Sequence, residues 1–395
     1  MPEPSVARQL LLPELRLLKT RRGARGGLDL VVEKTSRHEV CPRCASPSTS
    51  VYDRRHVTIR DEPVRRAEFR LIIRKRRFSC RPCRRPFTEP VDGIRKGYRT
   101  TQRYRQAVWD AAEEFVDLKT VRTRMRCSSG LVQRIVYEQL ELRRRTRLYA
   151  WPNKIGIDEH FFRRNKSLDE REFVSMIVDH TNHRLMEVVN SKRSNDLQVA
   201  LAHIPGRENV RFVALDLCDP YKRFAKSFFA NAQLVADKFH VLRLITPALV
   251  RHRRLVPGTR DDAYLRRLLL RNRRSLKPWW RTRLMAWLDH HPVLRELYEA
   301  KEAMHRLYRI RGHARAKRAL TRLIETLGLS LVPELQTLRR TLIKWRKEIL
   351  AYFYSGLLTN ARTEGFNLKA KLVKRRGYGY RSFDHYRLRL LNACR

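Results

Sequence analysis

Two carboxylates stand where the apolar runs of the chain stop. Lys154-Ile-Gly-Ile-Asp158-Glu159 reads as a short buried strand ending in acid, and Val210-Arg-Phe-Val-Ala-Leu-Asp216 reads as a second. Hard carboxylate oxygens are what Mg²⁺ takes. Two such ions ~3.5–4 Å apart can activate an attacking oxygen and stabilise a leaving one. That chemistry needs a third carboxylate from a later element, and Glu364 supplies a candidate. Its segment reads as a helix capped at Thr359 or Asn360, with Ala361, Gly365, Leu368 and Leu372 on one apolar face. Gly365 is expected to let that helix sit close to a sheet. Asn360, Glu364 and Asn367 share another, polar side. Any one of these acids alone would more often be a solubilising surface residue; the pair at two strand ends favours catalysis.

A second chemistry lies nearer the amino terminus. Cys41-Pro-Arg-Cys44 and Cys80-Arg-Pro-Cys83 are two C-x-x-C pairs, and two such knuckles close a tetrahedral Cys₄ site around structural Zn²⁺. Between them Phe69, Leu71 and Ile73 alternate with Arg70 and Arg74, a strand period, and Val51, Val57 and Ile59 give further strand positions. The segment therefore reads as a treble-clef or ribbon-like zinc module. The chain has 7 cysteines, an odd number, which argues for a reducing compartment; Cys127, Cys218 and Cys394 stand alone.

The elements that must position the acids follow from the texture after Trp151. Strands at Lys154–Glu159, Phe173–Val178 and Leu185–Val189 form a meander. A helix over Asn195–Ile204, the strand ending at Asp216, a helix over Tyr221–Phe229 and a strand over Gln233–Ala236 follow. This is the element order of an RNase H-like domain, in which strands one and four lie side by side and bring Asp158 and Asp216 into one pocket. Asp219 and Asp237 also follow the fourth strand closely and remain alternatives to Asp216 as second acid. Upstream, Ala107–Phe115, a short helix from Asp117 and a third from Ser128 or Ser129, with Leu131, Ile135 and Val136 inward, give a helix-turn-helix plan. Its third helix carries Gln133 and Arg134 toward bases, and Arg122 and Arg124 precede it. Residues 250–350 read as helices over 266–271, 280–288, 293–308, 316–327 and 335–353, with Trp279, Trp280 and Trp345 as packing residues rather than base-stacking ones.

Charge narrows the partner. The 395 residues hold 87 Lys and Arg against 40 Asp and Glu, a net charge of +47, which calls for a polyanion. Lys369, Lys371, Lys374, Arg375 and Arg376 form a basic stretch suited to phosphates. A membrane partner is disfavoured: the longest uncharged run spans only Ile349 to Ala361. Pro13 and Glu14 end the Leu10-Leu11-Leu12 run at once, so no export signal is expected.

These strings resemble the bacterial insertion-sequence transposases of the ISL-three type, related to Mutator-like elements. The resemblance rests on Phe78-Ser-Cys80, Arg85-Pro-Phe-Thr-Glu89, Ile155-Gly-Ile-Asp-Glu159, Ala214-Leu-Asp216, Ala236-Asp-Lys-Phe-His-Val241, Leu358-Thr-Asn-Ala-Arg-Thr-Glu-Gly-Phe-Asn367 and Arg376-Gly-Tyr-Gly-Tyr380. It implies a DDE transposase with Asp158, Asp216 and Glu364 as the Mg²⁺- or Mn²⁺-binding triad. Asp237 and His240 match the (Cys/Asp)-x-x-His element near that site, and the residues between Asp216 and Glu364 fit a helical insertion. It further implies double-stranded DNA partners (element ends and target), a homodimer or higher oligomer on DNA, and a cytoplasmic, nucleoid-associated location.

The expected class is α+β and multidomain: an amino-terminal helical segment (1–29), a zinc-binding module (30–95), a helix-turn-helix and basic linker (96–150), the first part of an RNase H-like core (151–250), an all-α insertion (251–350), and a closing part with Glu364 and a basic tail (351–395). Two competitors are a catalytically silent, zinc-containing DNA-binding regulator and a tyrosine recombinase. The latter is suggested by His240-x-x-Arg243, but His160-x-x-Arg163 shows how readily this composition produces that spacing.

Overall fold

The computed structural model describes residues 10–23, 26–114, 117–147, 149–165, 170–259 and 262–395. The chain divides into two compact units: residues 1–146 with 375–378, and residues 147–374 with 379–395.

In the first unit, strands β1 (Leu15–Arg22), β2 (Leu28–Lys34), β5 (Val51–Val64) and β6 (Ala67–Cys80) form a sheet in the order β1-β2-β6-β5, with β7 (Arg85–Thr88) on β6. The short pair β3 (Glu39–Val40) and β4 (Pro47–Ser48) brackets the first cysteine knuckle. The alternation read in the sequence is realised on β6, where Phe69, Leu71 and Ile73 are fully buried with Leu30, Val32 and Ile59. The expected helical segment at 1–29 is corrected: residues 15–22 and 28–34 are strands, and residues 1–9 lie outside the described residues. Leucine-rich composition favours helix only weakly. Here β1 pairs antiparallel with β2, which in turn pairs parallel with β6, and this pairing overrides it.

Three helices follow: α1 (Gln102–Glu113), α2 (Leu118–Arg124) and α3 (Ser129–Thr146). Each starts on a side-chain cap. Thr101 accepts from the Tyr104 amide, Asp117 from the Thr120 amide, and the Ser128 hydroxyl from the Leu131 amide. Val108 and Trp109 of α1, Val121 of α2 and Val132, Ile135, Val136 and Leu140 of α3 are buried. The expected helix end at Phe115 lies outside the described residues.

The second unit is built on a sheet of β8 (Lys154–Asn165), β9 (Glu170–Asp179), β10 (Arg184–Val189), β11 (Phe212–Leu215) and β12 (Gln233–Ala236) in the order β10-β9-β8-β11-β12. The β8–β9 and β9–β10 pairs are antiparallel; β8–β11 and β11–β12 are parallel. Helices α4 (Ser194–Leu201) and α5 (Asp219–Phe228) bury Leu197, Leu201, Tyr221 and Phe224 in the same core as Ile155, Ile157, Val213 and Leu215. The expected end of the first strand at its acid is corrected. β8 runs on to Asn165, paired with β9, while its parallel partner β11 stops at Leu215, opposite Ile157. Asp158 is therefore the first residue beyond the parallel ladder rather than the end of a strand.

Helix α6 (Lys238–Arg243) follows β12. The insertion then comprises α7 (Thr246–Leu255), α8 (Ala263–Leu270), α9 (Pro278–Asp289), α10 (Pro292–Leu307), α11 (His313–Gly328), α12 (Pro333–Lys344) and α13 (Arg346–Ala351). The single helix expected over 335–353 is two, because Trp345 leaves helical geometry at φ −105°, ψ 14° and buries its ring with the Lys222 ammonium 4.3 Å above it. Trp345 is core, as expected, but Trp279 is 55% exposed. The chain closes with α14 (Ala361–Arg376) and α15 (Phe383–Ala393).

Candidate active site

The face of α14 that packs inward differs from the expected one. Thr363, Phe366, Ala370 and Val373 are buried, whereas Ala361, Gly365, Leu368 and Leu372 are exposed, and a Cβ on Gly365 would have nothing within 4 Å. The inward stripe is itself mostly apolar, and it is the one flanked by Asn360, Thr363 and Asn367, which bond groups of the sheet. The close approach occurs at Gly156 on β8 instead. A Cβ there would lie 2.3 Å from His180 Nε2, 2.7 Å from Asn360 Oδ1 and 2.8 Å from Thr363 Oγ1. Only glycine lets the start of α14 reach this strand. His180 and Thr363 are both buried and share a 3.1 Å hydrogen bond. An isolated glycine inside an apolar strand was the available signal for this contact.

Around that contact the acids converge. Asp158 follows the parallel ladder on β8 and Asp216 follows it on β11, so the two carboxylates leave neighbouring strands at the same level. Burial and the adjacent Asp216 push the Asp158 carboxyl up to about 7. Asp158 accepts from the Glu159 amide at 2.7 Å and from Asn367 Nδ2 of α14 at 2.7 Å. Asn360 donates to the Ile157 carbonyl at 3.1 Å and to Asp216 Oδ1 at 3.3 Å.

Asp237 caps α6, accepting from the Phe239 and His240 amides, and its other oxygen accepts from the Asn360 amide at 2.8 Å. His240 Nδ1 lies 2.9 Å from Asp216 Oδ1 and 3.1 Å from Asp237 Oδ2. Burial disfavours the His240 imidazolium, but its hydrogen bonds to Asp216 and Asp237 prevail and hold it up to about 10. Asp216, Asp237 and His240 each offer a ligand atom within 4.8 Å of the others. Asp216 and Asp237, held by the side-chain and backbone amides of Asn360, offer the oxygens a hard divalent cation takes.

The remaining expected positions divide. Glu364 is exposed in the first turn of α14, one turn before Asn367 and on the same side of the helix, and its carboxylate is not among the atoms of the Asp216–Asp237–His240 group. Asp219 opens α5 and is paired with Lys344 at 2.5 Å, outside that group. Lys369, Lys371, Arg375 and Arg376 are exposed on α14, but Lys374 donates to the Phe161 and Phe162 carbonyls and fastens α14 to β8. Arg122, Arg124, Gln133 and Arg134 are exposed on α2 and α3.

In the first unit Cys41, Cys44, Cys80 and Cys83 bring their sulfurs within 4.8 Å of one another without a disulfide, and hydrogen bonds from Ser46 pull the Cys44 thiol down to about 6. Four converging thiols fit tetrahedral zinc.

A family model described as a transposase, that of the ISL3 DDE enzymes, matches residues 155–390. The chain belongs to the ISL3 family of transposases. A second model, the zinc finger of the transposases of IS204, IS1001, IS1096 and IS1165, matches residues 37–83 and so spans all four cysteines of this ISL3-family chain. The transposase for insertion sequence element IS1001 of Bordetella parapertussis is 23% identical over 381 residues, covering 93% of this chain and 91% of its own. Among the described residues no helix is long and apolar enough to cross a membrane.

Proposed function

We propose that this chain is a DDE transposase that binds the terminal inverted repeats of its insertion sequence and catalyses metal-dependent strand cleavage and strand transfer. The carrying observation is that Asp158 and Asp216 follow the same parallel ladder on neighbouring strands, each bonded to an asparagine of the α14 segment. The strand order β10-β9-β8-β11-β12, three antiparallel and then two parallel, supports an RNase H-like core; the capped trio α1–α3 supports a helix-turn-helix.

In this reading Asp158, Asp216 and Glu364 hold Mg²⁺ or Mn²⁺, with Asp237 and His240 beside them. Such ions, when bound, supply Lewis-acid activation of the attacking and leaving oxygens. The chain's own groups do the positioning. Asn367 orients Asp158 and Asn360 orients Asp216, so the carboxylates are fixed before DNA arrives. The His240 cation is shared between Asp216 and Asp237 and would have to yield Asp216 Oδ1 where a metal takes that oxygen. Gln133 and Arg134 on α3 and Arg122 and Arg124 on α2 face the element ends. Lys369, Lys371, Arg375 and Arg376 neutralise backbone phosphates, and Lys374 contributes by holding their helix. We keep as a proposal the division into a zinc-binding module, a helix-turn-helix with basic linker, a catalytic core and its helical insertion, with the 1–29 segment redrawn as strands that belong to the zinc-module sheet. Action would be cytoplasmic, on nucleoid DNA, by at least a dimer, because two element ends need two active sites.

The test is strand cleavage of duplexes carrying the element ends with Mg²⁺. Asp158→Asn and Asp216→Asn should each lower the rate at least ~10³-fold, by loss of a ligand needed in the transition state. Parent-like cutting by either variant refutes the site. Glu364→Gln tests the third acid, and Asp237→Asn, run in parallel with Asp216→Asn, decides which of Asp216 and Asp237 is the second. A parent that binds the ends but never nicks them points to the silent regulator.

A further inference from the structure

Beside α3 lies a cavity of about 400 Å³, of which the proposed function uses Arg134 alone. Its lining includes the guanidinium-bearing residues Arg60, Arg99, Arg105 and Arg134 together with Tyr98 and Thr100, and no carboxylate-bearing residue. Ser128, the cap of the 18-residue helix α3, also faces it. The first amides of a helix have no carbonyl four residues back and carry the positive end of its dipole.

Two buried donors here lack a partner among the described residues. Thr100 and Arg105 are each 4% exposed, and among the described residues nothing bonds Thr100 Oγ1 or Arg105 Nη1. The rest of the Arg105 guanidinium is fixed: Nη2 donates to Glu138 at 2.5 Å, and the group lies 4.7 Å from the Tyr98 ring centre. Glu138 is answered by Arg95 as well as Arg105, so it adds no free negative charge. The walls are rigid, because the Arg60 amide donates to the Arg99 carbonyl and the Thr101 amide to the Arg60 carbonyl. Arg60 is held by Glu68 at 2.8 Å and by the Arg126 carbonyl, so it shapes the wall while Arg99 and Arg134 supply the unbalanced charge. Orphaned buried donors are costly unless a ligand completes them. Guanidinium forks at a helix start are suited to phosphate oxygens.

We propose that this cavity binds a phosphate group, supplied by the DNA backbone as α3 docks. The assignment rests on the reading of α1–α3 as the DNA-binding helices and deepens it. Arg134 becomes a backbone contact, and Gln133, exposed on the next position of α3, is left to read bases. Arg60, Arg99, Thr100 and Arg105 join the nucleic-acid contacts.

The experiment is fluorescence anisotropy of a labelled mixed-sequence duplex with the full zinc-loaded chain across a range of salt. Arg99 and Arg134 are exposed, so Arg99→Ala with Arg134→Ala should fold as the parent does, which circular dichroism checks. This double variant should bind about tenfold more weakly on every sequence, with the slope of log K against log salt shallower by ~0.9 for one lost phosphate. Thr100→Val removes only the hydroxyl at nearly constant volume and should weaken binding about threefold. Parent-like affinity and slope in both variants overturn the phosphate clamp while leaving DNA binding intact. If the parent itself binds no duplex, the DNA reading fails separately. Melting with millimolar inorganic phosphate then separates the sources: a rise in Tm lost in Thr100→Val assigns the cavity to the free ion, and no rise overturns the anion site altogether.

Discussion

The two ligand clusters of this chain are built in opposite ways. The four thiols come from two tight knuckles, each closed within four residues and joined by one long hairpin, β5–β6. The acidic cluster draws Asp158, Asp216, Asp237, Asn360 and Asn367 from β8, the end of β11, the cap of α6 and the start of α14. Local geometry aims the first set, and sheet topology with one intimate helix contact aims the second. A locally built site should fail when its metal is removed. A topologically built site should fail when its packing is disturbed, even at residues that carry no chemistry.

The largest effect expected is on the thiol side. Stripping zinc with a chelator removes a contribution on the order of 10 kcal/mol, so duplex binding by the amino-terminal unit should be lost. Titration of released thiols alongside DNA anisotropy checks it, and retained binding by the stripped chain breaks the contrast. Next is Gly156→Ala. The added methyl meets His180, Asn360 and Thr363 at 2.3–2.8 Å, and overpacking of this kind costs about 1–3 kcal/mol. It should lower both Tm and cleavage although Gly156 offers no ligand atom; cleavage at the parent rate would show that α14 need not sit there.

A pH-dependent test sharpens the electrostatics of the acid side. In the metal-free fold Asp158 titrates near 7, above the ordinary 3.8 of an aspartate. Its neutral form is thus favoured by folding, and that advantage is full below pH 3.8 and lost as pH rises through about 7. Asp158→Asn stays neutral throughout, so it should melt higher than the parent at pH 8 by roughly 2–4 °C. The difference should vanish near pH 4. A constant difference across pH would remove the crowding of Asp158 by Asp216. The smallest effect is Gly365→Ala: with open space around it in a helix, the change should stabilise by about 0.5–1 kcal/mol. Set against Gly156→Ala, it reads directly which glycine carries the helix contact.

Much of this was legible beforehand. Strands over Gln233–Ala236 and near Phe212–Leu215, the short helix from Asp117, the helix start at Ser128 or Ser129, and the cysteine pairs are all short-range signals. Misreadings came where a partner decides conformation. β1 and β2 are strands because they pair with one another and with β6. β8 runs past Asp158 because β9 continues beside it. α14 turns Thr363, Phe366, Ala370 and Val373 inward because that face both fills the core and brings Asn360 and Asn367 to carbonyl and carboxylate groups that need donors.

By itself, then, the order of residues determined the cysteine knuckles, the strongly cationic character, the meander of strands and the two acids that follow apolar runs, since each depends on spacing within a few residues. Only the folded chain decided that Asp237 and His240 join Asp216, that Asp219 turns away to Lys344, and that Gly156 rather than Gly365 is the point of closest approach. Those outcomes depend on which distant segments become neighbours, and packing and hydrogen-bond satisfaction settle that between elements rather than along them.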